Sequence, residues 1–184
     1  MFSQAARGAE TMLCTFAASL TIEDLPAEVI AKVKELALDS IGVALAGSTA
    51  VGADAVVELL RTWGGNPESS VIGNAFAAPA PLSALANGLM ATARDFDDTL
   101  DDAMLHTQPS VLYAVLAVAE ARHASGRDVV AALAAGEELL CRLGRARARG
   151  QEFLPTATLG SVAAAAAEAR SETRVCALSS SGVA

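Results

Sequence analysis

The amino-acid sequence predicts an all-α domain, and three observations lead to this prediction. First, 53% of the 184 residues are hydrophobic but only 4% are aromatic. Most of the apolar excess is alanine, the strongest helix former. Second, apolar residues recur at steps of three and four positions, the period of a helix with one buried face. Third, no segment of useful length alternates as a half-buried strand does. The length suits one domain that buries a substantial core.

Proline, glycine and serine residues divide the sequence into seven predicted helices. These are Gln4–Leu20, Pro26–Gly47, Ala53–Trp63, Pro81–Arg94, Pro109–Ala124, Arg127–Arg147 and a last helix from Pro155 through the alanine tract Ala163–Ala167. Pro26 suits a first helical turn, and Gly64-Gly65 suits a left-handed cap. Asn66–Ala80 is predicted to be a connector in which Ser70–Ile72 is briefly extended. The second helix is expected to face the core with a stripe formed by Ile30, Val33, Ala37, Ile41 and Ala44.

Charge and cysteine content narrow the possible functions. The net charge is −8 and the pI about 4.7, so the surface would repel a phosphate backbone and nucleic-acid binding is disfavoured. The longest apolar stretches, such as Val111–Ala119, are far shorter than the roughly 18 residues that cross a bilayer. Three widely spaced cysteines without a CxxC pair argue against a disulfide framework or a zinc site: Cys14, Cys141 and Cys176. With no recognisable targeting segment, the sequence favours a cytoplasmic protein.

The most informative stretch of the sequence is acidic. Five carboxylates occur within eight residues and an imidazole follows them: Asp95, Asp97, Asp98, Asp101, Asp102 and His106. Three interpretations are open at this point. The stretch is a solvated loop that caps neighbouring helices, a divalent-metal site with oxygen ligands, or an acid–base site in which His106 exchanges a proton while an aspartate orients it. It lacks the alternating ligands and central glycine of a calcium loop.

The sequence contains only two histidines. His123 follows Arg122 at a predicted helix end, where we expect a surface residue that interacts with the helix dipole. The same role is expected for a basic cluster, Arg142, Arg145, Arg147 and Arg149. His106 instead follows the acidic stretch and precedes a helix. Nothing matches a nucleophile elbow, a Walker loop or a dinucleotide fingerprint, so no cofactor is expected.

In their order along the chain, these motifs resemble the MmgE/PrpD family. The central matches are Asn87-Gly88, Asp95-Phe96-Asp97-Asp98-Thr99, His106 and Pro109-Ser110. Further matches lie on both sides: Leu38-Asp39-Ser40-Ile41-Gly42, Ala124-Ser125-Gly126-Arg127-Asp128, Ala135-Gly136-Glu137-Glu138 and Pro155-Thr156-Ala157-Thr158-Leu159-Gly160. The resemblance covers roughly Ile22 to Ala167.

The resemblance implies a helical domain that normally joins a smaller α/β lid domain, with the active site between them. It implies a homodimeric lyase, similar to 2-methylcitrate dehydratase, that needs no metal or organic cofactor. Decarboxylases and epimerases of the same family are alternatives. The substrate would be a small di- or tricarboxylate, and the chemistry a proton transfer α to a carboxylate. By position, His106 would be the catalytic acid–base group, Asp95 its electrostatic partner or a protonated hydrogen-bond donor, and Thr99 a substrate-binding hydroxyl.

The sequence departs from the family pattern in two places. Leu154 stands where family members carry a histidine before Pro-Thr, and leucine neither donates a hydrogen bond nor carries charge. After Ala167 the resemblance fades, so we expect residues 1–170 to be an incomplete helical domain that lacks the lid domain, and residues 171–184 a divergent, disordered tail. Asp95–Ser110 contains no lysine or arginine, and Arg94 is the only adjacent base. Two other functions therefore stay open: a catalytically inactive, truncated dimerisation module and an Asp-rich metal-binding protein.

Overall fold

The computed structural model describes residues 4–147 and 154–169, and these residues form an all-α fold. Its helices are α1 Gln4–Ser19, α2 Ala27–Gly47, α3 Ala53–Trp63, α4 Ala80–Thr92, α5 Gln108–Arg122, α6 Gly126–Ala146 and α7 Pro155–Ala169. A short 3-10 turn covers Ile22–Asp24, and an antiparallel pair joins β1 Ser69–Ser70 to β2 Ala77–Ala78. The predicted fold class is confirmed. The expected tail, Arg149 and Cys176 lie outside the described residues.

The predicted helix boundaries agree with the structure to within two residues, because the punctuating residues act locally. Gly64 ends α3 with a φ of 65°, a conformation that glycine adopts without a steric penalty. Ser125 caps the N-terminus of α6, and its hydroxyl oxygen accepts a hydrogen bond from the Asp128 N–H. His123 ends α5 in the left-handed region with a φ of 53°, and its exposure agrees with the predicted surface position.

Helix α5 lies at the centre of the domain and packs against α4, α6 and α7, with smaller contacts to α2 and β1. Its buried side chains lie on several faces: Gln108, Pro109, Val111, Leu112, Tyr113, Val115, Ala117 and Ala119. A helix buried all round belongs to a protein core when it is this short. Within residues 4–147 and 154–169, no helix combines the length and apolarity that crossing a membrane requires.

One detail of the predicted core face in α2 is wrong. Ile41 is 36% exposed, whereas its neighbour Ser40 is 3% exposed. The rotation of α2 places Ser40 against α5, where the Tyr113 hydroxyl donates to the Ser40 carbonyl at 2.7 Å and pairs with the Ser40 hydroxyl at 2.9 Å. Gly47 lies on the same face and packs against the backbone carbonyl of Met90. The core face of α2 therefore includes Ser40 and Gly47 beside the apolar stripe, and excludes Ile41.

Candidate active site

The acidic loop, defined here as residues 93–107, connects α4 to α5 and folds back on itself. The Leu100 N–H donates to the Leu105 carbonyl at 2.8 Å, and the Leu105 N–H donates back at 3.4 Å. Met104 turns the chain between them with a φ of 50°. Leu105 is fully buried and packs against Gly144 of α6, where a Cβ would have no room. This hairpin-like turn places Asp97, Asp98 and Thr99 beside His106.

The imidazole ring of His106 is held in place by contacts to its Nδ1 atom. This nitrogen lies 2.7 Å from the Asp98 carbonyl oxygen, 3.4 Å from Thr99 Oγ1 and 3.5 Å from Asp97 Oδ2. A carbonyl oxygen only accepts, so Nδ1 carries the proton and Nε2 keeps a lone pair in the neutral ring. The imidazole is 36% exposed while the Asp97 side chain is 5% exposed. The His106 main-chain N–H donates to Thr156 Oγ1 at 2.9 Å, which ties the acidic loop to α7.

The Asp98 carboxylate caps the N-terminus of α5. Oδ2 accepts from the Thr107 N–H at 3.0 Å and from the Thr107 hydroxyl at 2.6 Å, while Oδ1 accepts from the Gln108 N–H at 2.9 Å. A carboxylate at this end of a helix satisfies amides that have no intrahelical partner and interacts favourably with the helix dipole. The helix-capping interpretation of the acidic stretch is therefore confirmed for this aspartate.

A buried polar pair lies directly behind the cap. Gln108 Nε2 donates to Glu137 Oε1 of α6 at 2.5 Å, and both residues are largely buried. Burial raises the pKa of Glu137 from an ordinary 4.5 to about 7, and the hydrogen bond from Gln108 opposes part of this rise. The Gln108 Oε1 atom is buried and has no hydrogen-bond partner within residues 4–147 and 154–169. This pair couples the start of α5 to the middle of α6.

Two arginines at the acidic loop, Arg94 within it and Arg145 of α6, are both engaged with other protein groups. Arg94 donates to the Ala46 carbonyl at 2.9 Å and to Thr49 at 3.0 Å, at the C-terminal end of α2. Arg145 of α6 reaches across to Asp102 at 2.8 Å. In the part of the chain that the structure describes, no group of three or more histidine, cysteine, aspartate or glutamate side chains is placed to hold a metal ion.

The structure brings together two of the three residues predicted for the site. Thr99 and His106 are in contact, whereas Asp95 is exposed and has a φ of 57°. Aspartate tolerates this left-handed conformation, and here it redirects the chain after α4. The carboxylate beside His106 is that of Asp97. Leu154 is 76% exposed and lies two residues before Thr156.

Sequence reasoning did not single out three side chains that shape the site: Asp97, Thr156 and Glu137. Asp97 belongs to the acidic stretch, and the local turn that selects it has no simple sequence signal. Thr156 lies 50 positions from His106, and only the Pro-Thr motif directed attention to its neighbourhood. Glu137 could have been found, because it falls on the apolar stripe of α6 between the buried Leu133 and Leu140.

The chain is similar to known proteins over most of its length. The family described as the MmgE/PrpD N-terminal domain matches residues 11–172. The chain is 30% identical over 149 residues to the cis-aconitate decarboxylase of Aspergillus terreus, covering 78% of this chain and 30% of that protein. It is 31% identical over 171 residues to the cis-aconitate decarboxylase-like protein oryM of Aspergillus oryzae, covering 86% and 35%. The cis-aconitate decarboxylase of Mus musculus is 29% identical over 160 residues, covering 82% and 33%. The chain thus spans about a third of the length of these curated relatives.

Proposed function

Because the chain belongs to the MmgE/PrpD family, we propose that it forms the proton-transfer part of a lyase acting on a di- or tricarboxylate, with His106 as the acid–base group. One observation carries this proposal. Nδ1 of His106 donates a hydrogen bond to the Asp98 carbonyl at 2.7 Å. This leaves Nε2 as the proton acceptor of a partly exposed ring. Histidine is the side chain best suited to gain and lose a proton near neutral pH.

The reaction would use both protonation states of the imidazole. As a base, Nε2 takes the proton from the carbon α to a substrate carboxylate, and the electron pair of the broken C–H bond stays on that carbon. As an acid, the imidazolium returns a proton to carbon or to a leaving hydroxyl. The Asp97 carboxylate, 3.5 Å from Nδ1, would stabilise the imidazolium while the ring is charged. Thr99 would hydrogen-bond a substrate oxygen.

Epimerisation, dehydration and decarboxylation all fit this acid–base pattern, and the last two are the ones to assay first. In dehydration of a 2-methylcitrate-type substrate, which the family resemblance favours, the C–H bond breaks and water leaves from the adjacent carbon. In decarboxylation of cis-aconitate, a C–C bond breaks, carbon dioxide leaves, and the carbon that keeps the electron pair takes a proton. The names of the relatives make cis-aconitate the first substrate to assay. Both reactions need a group that exchanges a proton with carbon, and the proposal assigns this role to His106.

The test compares wild-type protein with two matched histidine variants. The substrates are cis-aconitate and 2-methylcitrate, and products are followed by proton NMR. We expect turnover of one substrate, and we expect His106→Asn to lower kcat about 10²- to 10⁴-fold. His123→Asn serves as the control, because asparagine tolerates the left-handed conformation at this exposed helix end. Turnover that His106→Asn leaves unchanged would refute the proposal. No turnover of either substrate, with a dimer in light scattering, would favour the helical dimerisation module.

A further inference from the structure

We infer that Asp98 is the positioning residue of the site: it fixes the ring of His106 in the Nδ1–H tautomer and so keeps Nε2 available for proton transfer. The consequence for catalysis rests on the proposed function, whereas the tautomer is a property of the protein alone. The inference comes from two sets of contacts that a single residue makes. One set involves its main-chain carbonyl and the other its carboxylate.

The carbonyl contact determines the tautomer. Among the described residues, every hydrogen bond of the His106 ring is made by Nδ1, and the Asp98 carbonyl at 2.7 Å is its shortest partner. Thr99 Oγ1 at 3.4 Å and Asp97 Oδ2 at 3.5 Å are longer contacts. The hydroxyl accepts as readily as it donates, so it has little influence on which nitrogen is protonated. The carbonyl oxygen can only accept a hydrogen bond, so this contact requires a proton on Nδ1.

The carboxylate contacts hold that carbonyl in place. Three donors converge on Asp98: the Thr107 N–H, the Thr107 hydroxyl and the Gln108 N–H, at 2.6–3.0 Å. Both donor residues directly follow His106 in the chain. Asp98 therefore binds the ring of His106 through its main chain and the backbone after His106 through its side chain. The two attachments close a small loop, which limits how far the ring can move from the carbonyl.

Burial and helix geometry make this arrangement specific to aspartate. Thr107 is 5% exposed and Gln108 is fully buried, so their N–H groups need a protein acceptor. An asparagine at position 98 would place one NH₂ group against a backbone N–H in either orientation of its amide. One donor would then lose its partner and the turn would loosen. Positioning contacts of this kind around a functional histidine typically change activity about 10- to 100-fold.

The experiment reads the tautomer directly. Long-range ¹⁵N–¹H NMR correlations report which ring nitrogen carries the proton, and the two histidine signals are assigned with His123→Asn. We expect the Nδ1–H form in wild-type protein, and a mixture of tautomers in Asp98→Asn. Asp101→Asn removes a carboxylate from an exposed position of the same loop, and we expect it to leave the tautomer unchanged.

A second pair of variants keeps the test valid if Asp98→Asn does not fold. Thr107→Val removes one of the three donors to Asp98, whereas Thr107→Ser keeps it. We expect Thr107→Val to shift the tautomer and to lower kcat about 10-fold with KM changed less than about twofold, and Thr107→Ser to restore both. An Nε2–H tautomer in wild-type protein, or a tautomer that none of these variants alters, would overturn the inference.

The outcome separates this inference from the proposed function. Nδ1–H in the wild type, loss of that preference in Asp98→Asn and no turnover in any variant would confirm that Asp98 sets the tautomer and refute the lyase. Turnover that depends on His106 but is the same in Asp98→Asn and wild-type protein would overturn the positioning role and support the lyase.

Discussion

The Thr156 hydroxyl accepts the main-chain N–H of His106 at 2.9 Å and thereby joins α7 to the acidic loop. The two residues are 50 positions apart in the sequence, yet they belong to two motifs that led to the same family. The contact explains why a Pro-Thr pair at the start of a helix matters at a site centred on a distant histidine.

Replacing Thr156 by valine tests this contact. The His106 N–H would lose its acceptor in a partly buried position, so we expect the free energy of unfolding to fall by about 1–3 kcal/mol. Chemical denaturation measures the change. Thr158→Val is the matched control, because this threonine is exposed and, among the described residues, its hydroxyl donates to the carbonyls of Leu154 and Pro155 at the start of α7. Equal effects of the two substitutions would show that the contact with His106 adds no stability.

Leu154 offers a gain-of-function prediction. Its side chain is 76% exposed, so a larger polar residue fits without repacking the core. Leu154→His restores the donor that family members carry before Pro-Thr, and a donor of this kind is worth about 10²–10³ in rate when it meets developing charge. We expect kcat to rise at least about 10-fold over wild type, measured with cis-aconitate. Leu154→Met, an apolar control, should change nothing, and the same rate in all three proteins would argue against a substrate contact at this position.

The raised pKa of Glu137 makes the free energy of unfolding depend on pH. Burial raises its pKa in the folded protein to about 7 against an ordinary 4.5. As the pH rises from about 4.5 to about 7, the unfolded chain releases this proton and the folded chain retains it. The free energy of unfolding therefore falls across this window, by on the order of 3 kcal/mol for this group, and is level above it.

The substitution Glu137→Gln removes this titration and keeps the acceptor for Gln108. We expect its free energy of unfolding to exceed that of the wild type by more at pH 8 than at pH 5, as measured by denaturant unfolding at both values. Glu138→Gln is the control, because that side chain is 43% exposed and pairs with Arg142. A difference between Glu137→Gln and wild type that is constant from pH 5 to pH 8 would contradict the assigned pKa.

Two glycines give predictions of opposite sign. Gly136 of α6 lies at the crossing with α5 and α7, where an added Cβ would approach Val111 to 2.6 Å and Ala167 to 2.8 Å. We expect Gly136→Ala to destabilise the fold by about 1–3 kcal/mol. Gly42 of α2 is exposed, and no atom of the described residues lies within 4 Å of an added Cβ, so Gly42→Ala should stabilise by about 0.5–1 kcal/mol. Thermal unfolding compares the two, and a stabilising Gly136→Ala would contradict the close helix crossing.

Local signals in the sequence predicted the fold closely, and non-local contacts account for what they missed. Gly64 and Ser125 act on their own helix ends, so the boundaries they predict are correct. The burial of Ser40 in α2 goes with its hydrogen bonds to Tyr113, 73 positions away, and hydrophobic periodicity contains no information about that pairing.

The candidate site shows the same division. The motif around Thr99 and His106 predicted two residues that are in contact. The choice of Asp97 over Asp95 beside the ring depends on a left-handed turn at Asp95, which aspartate permits but does not require. Residue type alone therefore identified the acidic loop without showing which carboxylate would face His106.

The acid–base role of His106 is tested most directly by measuring proton exchange at the substrate carbon. The protein is incubated in D₂O with cis-aconitate and, separately, with 2-methylcitrate, and NMR measures the rate at which deuterium enters a carbon next to a carboxylate. We expect incorporation by wild-type protein and by His123→Asn, and a rate at least about 10²-fold lower in His106→Asn. Incorporation at the wild-type rate in His106→Asn would contradict the assignment of His106 as the acid–base group.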